Sequence, residues 1–191
     1  MNNEVFSSVF SGSVGDVELY RINGDRVGFK LATSSDDPTM FGRMKVGQLH
    51  IDAADAAAVT ISGTTDYYEA TAPAWTLSPV RSDFDESAGN GRLTYTGKTL
   101  MHIHAACTIS FTCGSNNQTV YFRIGRNGAT DSASEVQYRI GTGSDVGSTA
   151  MHLVTSMQQG DYLSLFVRNG TGANDVTMQV ANLQAVAMLP G

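Results

Sequence analysis

Charge is scarce in this 191-residue chain. Asp, Glu, Lys and Arg make up 16% of it, against about 25% in an average soluble protein. Disorder needs low hydrophobicity with high net charge; an apolar share of 41% and a formal charge of −6 exclude it. A coiled coil, built from Ala, Glu, Lys and Leu at heptad spacing, is excluded as well. No apolar run approaches the ~20 residues that cross a bilayer as a helix. The twelve basic residues are scattered without a run, which speaks against a phosphate-backbone binder. Neither a nucleic-acid nor a membrane partner is expected.

Cysteine is nearly absent. Cys107 and Cys113 lie six residues apart on one expected strand, or roughly 20 Å at ~3.3 Å per residue. A disulfide needs Cα atoms within about 7 Å, so both are expected as free, buried thiols. The first residues, Met1 to Phe6, show no basic start and no continuous apolar stretch. No secretory signal is read there, and folding in the cytoplasm of the producing cell is expected.

Strict alternation is what the sequence does have. Met101, Ile103, Ala105, Cys107, Ile109, Phe111 and Cys113 share one parity, with His102, His104, Thr108, Ser110 and Thr112 on the other. Period two over that length predicts a half-buried strand. The pattern returns at Val120 to Ile124, Val136 to Ile140, Thr149 to Met157, Leu163 to Val167 and Val176 to Leu189, each punctuated by Gly or Asn. A parity change at Asn182-Leu183 predicts a bulge there. Short strands at regular spacing predict an all-β sandwich or barrel.

The first part of the chain is less regular. Residues 17–31 read as a hairpin around Asn23-Gly24, and residues 46–51 as a strand. Residues 52–58 read either as a short helix capped by Asp52 or as an acidic loop. The stretch from Thr64 to Gly91 reads as a connector. The expected organisation is a β-rich arm or small domain over 1–75, a linker over 76–90, and a sandwich over 91–191.

Several constellations bear on chemistry. His102 and His104 leave one strand face and could hold two zinc positions, but zinc takes three or four ligands. They are weak metal candidates, and surface or subunit contact is the expected role. Asp83, Asp85 and Glu86 superficially resemble a calcium loop, without the sixth-position glycine or the twelfth-position glutamate of an EF-hand. There is no Gly-x-Ser-x-Gly elbow, and no paired carboxylates stand out. No catalytic residue and no cofactor is assigned, and no enzyme is expected. Arg123, Arg139 and Arg168 have outward parity and suit either plain surface or a subunit contact.

From about Asn90 onward, the order of features resembles the jelly-roll module shared by tumour necrosis factor and the globular heads of complement-type collagens. The residues that carry it are Tyr95-Thr96-Gly97, the long strand Met101 to Cys113, and the turn Gly125-Arg126-Asn127-Gly128. Gly160-Asp161 opening a strand, and the final strand Val176 to Leu189, complete it. Similar modules occur in phage virion proteins. The resemblance implies a C-terminal jelly roll forming a homotrimer, with Tyr95, Arg123, Phe166 and Leu189 as trimer-interface candidates. Its implied setting is a virion, made in the host cytoplasm, with the major capsid protein or other virion proteins as partners. Phe6, Val9 and Phe10 are the capsid-attachment candidates. Alternatives are a receptor-binding tip that recognises host carbohydrate or protein, and a carbohydrate-active enzyme using a carboxylate such as Asp85 or Glu135. A fold alone does not choose among them.

Overall fold

The computed structural model describes residues 16–20, 26–30, 45–86 and 89–190, with 16–20, 26–30, 189 and 190 as backbone only. The chain divides into two compact units, Met1–Arg43 and Met44–Gly191. In the first, β1 (Asp16–Tyr20) pairs antiparallel with β2 (Arg26–Lys30), which is the expected hairpin. The attachment candidates Phe6, Val9 and Phe10 lie outside the described residues.

The second unit opens with β3 (Val46–Ile51), β4 (Ala57–Val59), β5 (Tyr68–Glu69), β6 (Thr76–Leu77) and β7 (Phe84–Asp85). Longer strands follow: β8 (Leu93–Tyr95), β9 (Met101–Cys113), β10 (Gln118–Arg126), the short β11 (Ala129–Thr130) and β12 (Val136–Ile140). β13 (Gly147–Met157), β14 (Tyr162–Asn169) and β15 (Val176–Pro190) complete it.

Two antiparallel sheets result. The first runs β13-β9-β15-β3-β6, with β4 also on β15; the second runs β11-β10-β14-β8-β7, with β12 on β10 and β5 on β14. Read along the chain, β3, β9, β13 and β15 belong to the first sheet, and β8, β10, β12 and β14 to the second. Repeated crossing between the six- and seven-stranded layers is jelly-roll topology. The all-β jelly roll expected from the sequence is present.

Alternation sets the core. Along β9 every odd residue from Met101 to Cys113 is buried. Phe111 of the first sheet reaches across to Phe122 and Tyr138 of the second, with ring centroids 4.6 and 5.5 Å away in edge-on geometry, the arrangement aromatic quadrupoles favour. Both thiols are free and buried; burial pushes Cys107 up to about 12 and raises Cys113 too.

The expected boundary near residue 91 is corrected. The segment 45–86, read as arm and linker, is part of the sandwich. β3 pairs with β15 over Val46–Ile51, and β5 adds to β14. Val59, Ile61, Ala70, Trp75 and Phe84 all enter the core. Trp75 donates its indole N–H to the Ala70 carbonyl at 2.8 Å and lies against Gly91, where any Cβ would run into the ring. Isolated anchors of this kind tie a segment down without any period-two signal.

Two smaller expectations are also revised. Residues 53–55 form one 3₁₀ turn, and the Asp52 side chain does not cap it. The bulge in β15 falls between Met178 and Val180 rather than at Asn182-Leu183. It turns Val180 outward, while Ala181, Leu183, Ala185 and Ala187 remain inside. At the expected tight turn, Asn127 and Gly128 adopt φ of 53° and 80°, the paired left-handed residues of a type I′ hairpin.

At the β10–β14 end the buried Asn169 is well partnered. Asn169 donates to Gln118 Oε1 at 3.0 Å and to the Asn174 carbonyl at 3.1 Å, and accepts from the Thr171 N–H at 3.0 Å. This asparagine, which begins an Asn-Gly-Thr sequence, is fully buried and holds the following loop.

Candidate functional site

The two outer faces of the sandwich have opposite chemistry. β3, β9, β13 and β15, the body of the first sheet, contain no Asp, Glu, Lys or Arg. Register places their outward residues in rows. Val154, His104, Val186 and Val46 form one; His152, Ala106, Gln184 and Gln48 the next; Ala150, Thr108, Asn182 and His50 a third. Val154, Val180 and Met188 on this sheet are 61%, 44% and 46% exposed. The outward-turned Val180 and the small residues Thr108, Ser110, Ser148 and Ala150 leave an open groove of about 420 Å³. Among the described residues, the Asn182 Oδ1 is buried without a hydrogen-bond partner.

This face also gathers all four histidines of the chain. His102 Nδ1 lies 3.1 Å from the Ser156 hydroxyl. His104 stacks on His152 across the β9–β13 pair, with ring centroids 5.3 Å apart and planes 16° from parallel. Among the described residues, no group of three or more His, Cys, Asp or Glu side chains is placed to hold a metal.

The outer face of the second sheet is a bound network of arginine, tyrosine and carboxylate. Arg123 pairs with Glu135 at 2.7 Å and stacks 4.3 Å from the Tyr67 ring centroid. Arg168 lies 4.0 Å from the Tyr121 centroid and 5.0 Å from that of Tyr67. The Tyr67 hydroxyl donates a short hydrogen bond to Glu135. Burial and that carboxylate raise Tyr67 to about 12, while the Tyr67 and Arg123 donors hold Glu135 below the usual carboxylate range. Nearby, Arg92 grips Glu69 with two hydrogen bonds of 3.0 and 2.8 Å and covers the Tyr162 ring. Burial alone would raise Glu69, but the guanidinium outweighs it and the carboxyl is lowered.

Of the trimer-interface candidates, Arg123 and Phe166 are register partners across β10–β14, while the other two are elsewhere. Tyr95, Arg123 and Phe166 are in the second sheet and Leu189 is in the first, its side chain outside the described residues. Tyr95 has 0% of its surface exposed: it packs on Phe84 at 5.3 Å between centroids and donates to the Thr99 carbonyl at 2.9 Å. It is a core residue of its own chain. Phe166 is 5% exposed and lies over Gly125, filling the place of a side chain there. Arg123 is held by Glu135, Thr130 and Tyr67 of its own protomer.

Neither alternative chemistry assembles. Asp83 is engaged by Lys45 at 2.8 Å, and Glu86 accepts from the Gly91 N–H at 3.2 Å, so the acidic triplet does not converge as a calcium loop. Asp85 is on β7 and Glu135 precedes β12, four strand steps away across the second sheet. At ~4.8 Å per step that is roughly 19 Å, twice the widest carboxylate separation of a glycosidase.

No family model matches the sequence, and no curated protein matches it. Solved structures do. A tumour necrosis factor, Eiger, of S. frugiperda is 10% identical with a TM-score of 0.47, over 78% of this chain and 94% of that one. Murine APRIL is 11% identical with a TM-score of 0.46, over 75% and 100%. The globular domain of zebrafish complement 1qA is 9% identical with a TM-score of 0.43, over 78% and 100%. The jelly-roll architecture stands on the strand order of the chain itself.

Proposed function

We propose that this chain is a non-enzymatic structural protein of a phage virion: a homotrimer, joined through the neutral sheet face, that decorates or cements the capsid. The observation that carries the reading is the charge-free outer face. Each copy bears a net charge of −6, so copies repel at long range, and a contact free of charge adds neither local repulsion nor a charge to desolvate. The neutral face offers such a place, with Val154, Val180 and Met188 exposed on it. Four strands at ~4.8 Å spacing and some ten residues at ~3.3 Å give roughly 630 Å², somewhat below the ~800 Å² per partner of a standard interface. The threefold count, the virion setting and the capsid as partner come from the sequence resemblance. Residues 1–43, a separate compact unit, are the part assigned to attachment. Trimerisation would multiply weak attachment contacts through effective concentration.

The test is co-sedimentation with undecorated capsids. The full chain is expected to pellet with them, and a chain without residues 1–15 to stay in the supernatant as a trimer. Binding to host cells and not to capsids would replace decoration with receptor recognition. Loss of the trimer on deleting residues 1–15 would overturn the division between attachment and assembly.

A further inference from the structure

The neutral face is neutral only while its imidazoles are. Three of them, His102, His104 and His152, sit on adjacent strands, β9 and β13, at the middle of the face and toward one end. Imidazole is the side chain that changes charge between pH 5 and 8. We propose that protons gate the assembly: copies associate through this face when the three imidazoles are neutral and separate as they charge. The inference rests on the face being the contact between copies.

The surroundings supply nothing to compensate the added charge. β9, β13, β15 and β3 present no carboxylate on this face, and no lysine or arginine either. The remaining histidine, His50, is on β3, two and five residues before Asp52 and Asp55 in the chain. At the His102 end a cation reaches the neighbouring residue. Arg126 donates to the main-chain carbonyl of Ser156, whose hydroxyl meets His102. Asp161 lies 4.0 Å from Arg126 and also accepts from Asn127 and the Gln158 N–H. The thiols of the same sheet, Cys107 and Cys113, are buried on its inner side.

Geometry places two of the imidazoles ring on ring. The His104 and His152 rings stack face to face at 5.3 Å, so two cations there repel directly. A second copy laid over them removes the water that would screen the repulsion. Symmetry repeats the pair in every copy. Bulk charge pulls the other way: protonation brings the chain from −6 toward zero, which alone would favour association. The sign of the pH effect therefore separates the local mechanism from the general one.

The experiment is sedimentation of the full chain at pH 8.0, 6.5 and 5.5, at fixed ionic strength and with a chelator throughout to remove metal bridging. Circular dichroism checks that the chain stays folded. The expected result is a trimer at pH 8.0 and at least a tenfold weaker association at pH 5.5. The double variant His104→Gln, His152→Gln is expected to stay trimeric at both. A wild-type trimer indifferent to pH, or tightened by acid, would overturn the gate and leave the assembly reading standing. So would an equal acid loss in the double variant, which would place the titrating groups elsewhere. A wild-type monomer at pH 8.0 would overturn both.

Discussion

The two outer faces of this sandwich treat charge in opposite ways. The second sheet carries arginines, and each of Arg92, Arg123 and Arg168 is engaged by carboxylates or tyrosine rings of its own protomer. Much of its charge is engaged within the chain, although Arg139 is exposed and the Arg168 Nε is buried without a hydrogen-bond partner. The first sheet carries none and leaves valine, methionine and imidazole toward solvent. A face whose polar groups already have partners gains little from a new one. A face with exposed apolar area and no charge to desolvate gains most. Counting surface charges over the whole molecule would hide this; their segregation is the informative quantity.

The comparison breaks most sharply if charge is placed on the neutral face. Ala150→Glu puts a carboxylate beside the groove, where a covering copy would bury it unpaired at about 3 kcal/mol or more. The dissociation constant is expected to rise at least ~100-fold, while Ala150→Gln leaves the mass unchanged. Equal masses for the two variants by light scattering would remove this face from the contact. Next in size is Arg92→Ala on the other face. It deletes a bidentate grip and strands Glu69, costing about 1–2 kcal/mol by urea denaturation with no change in subunit number. A change in mass would put the arginine face in the contact after all.

A pH series sharpens the same contrast. The folded value of Glu69 lies below its ordinary one, so its stabilising contribution is present above about pH 4.3 and is lost as pH falls through the depressed value. Glu69→Gln is expected to be less stable than wild type at pH 7 and to lose less between pH 5 and pH 2. Parallel stability curves would assign the acid sensitivity to other carboxylates. The smallest effect is expected from Gln137→Glu, an exposed position opposite Tyr121. Stability should stay within about 0.5 kcal/mol of wild type, with the mass unaltered.

The long strands were legible because a buried–exposed alternation over nine or more residues has no other reading. The free thiols and the Asn127-Gly128 hairpin were legible for similarly local reasons. Residues 45–86 were not. Apart from 46–51, which read as a strand, their strands are two or three residues long, and single anchors such as Trp75 and Phe84 hold them, so nothing periodic marks them. The resemblance points to Tyr95 and Phe166 as interface candidates without saying what covers them. Which side of the strand is covered depends on Thr99, Gly125 and their neighbours, and period two cannot say that. The neutral face was visible all along as the missing charge of 101–113, 147–157 and 176–190. It became a surface only when register set those strands side by side.

The central claim is that this chain associates with itself. Light scattering on the wild-type protein at low micromolar concentration and pH 8.0 tests it most directly. A molar mass of three chains is predicted. The mass of a single chain would contradict it, and the neutral face would then be only an unusual surface on a monomeric jelly roll.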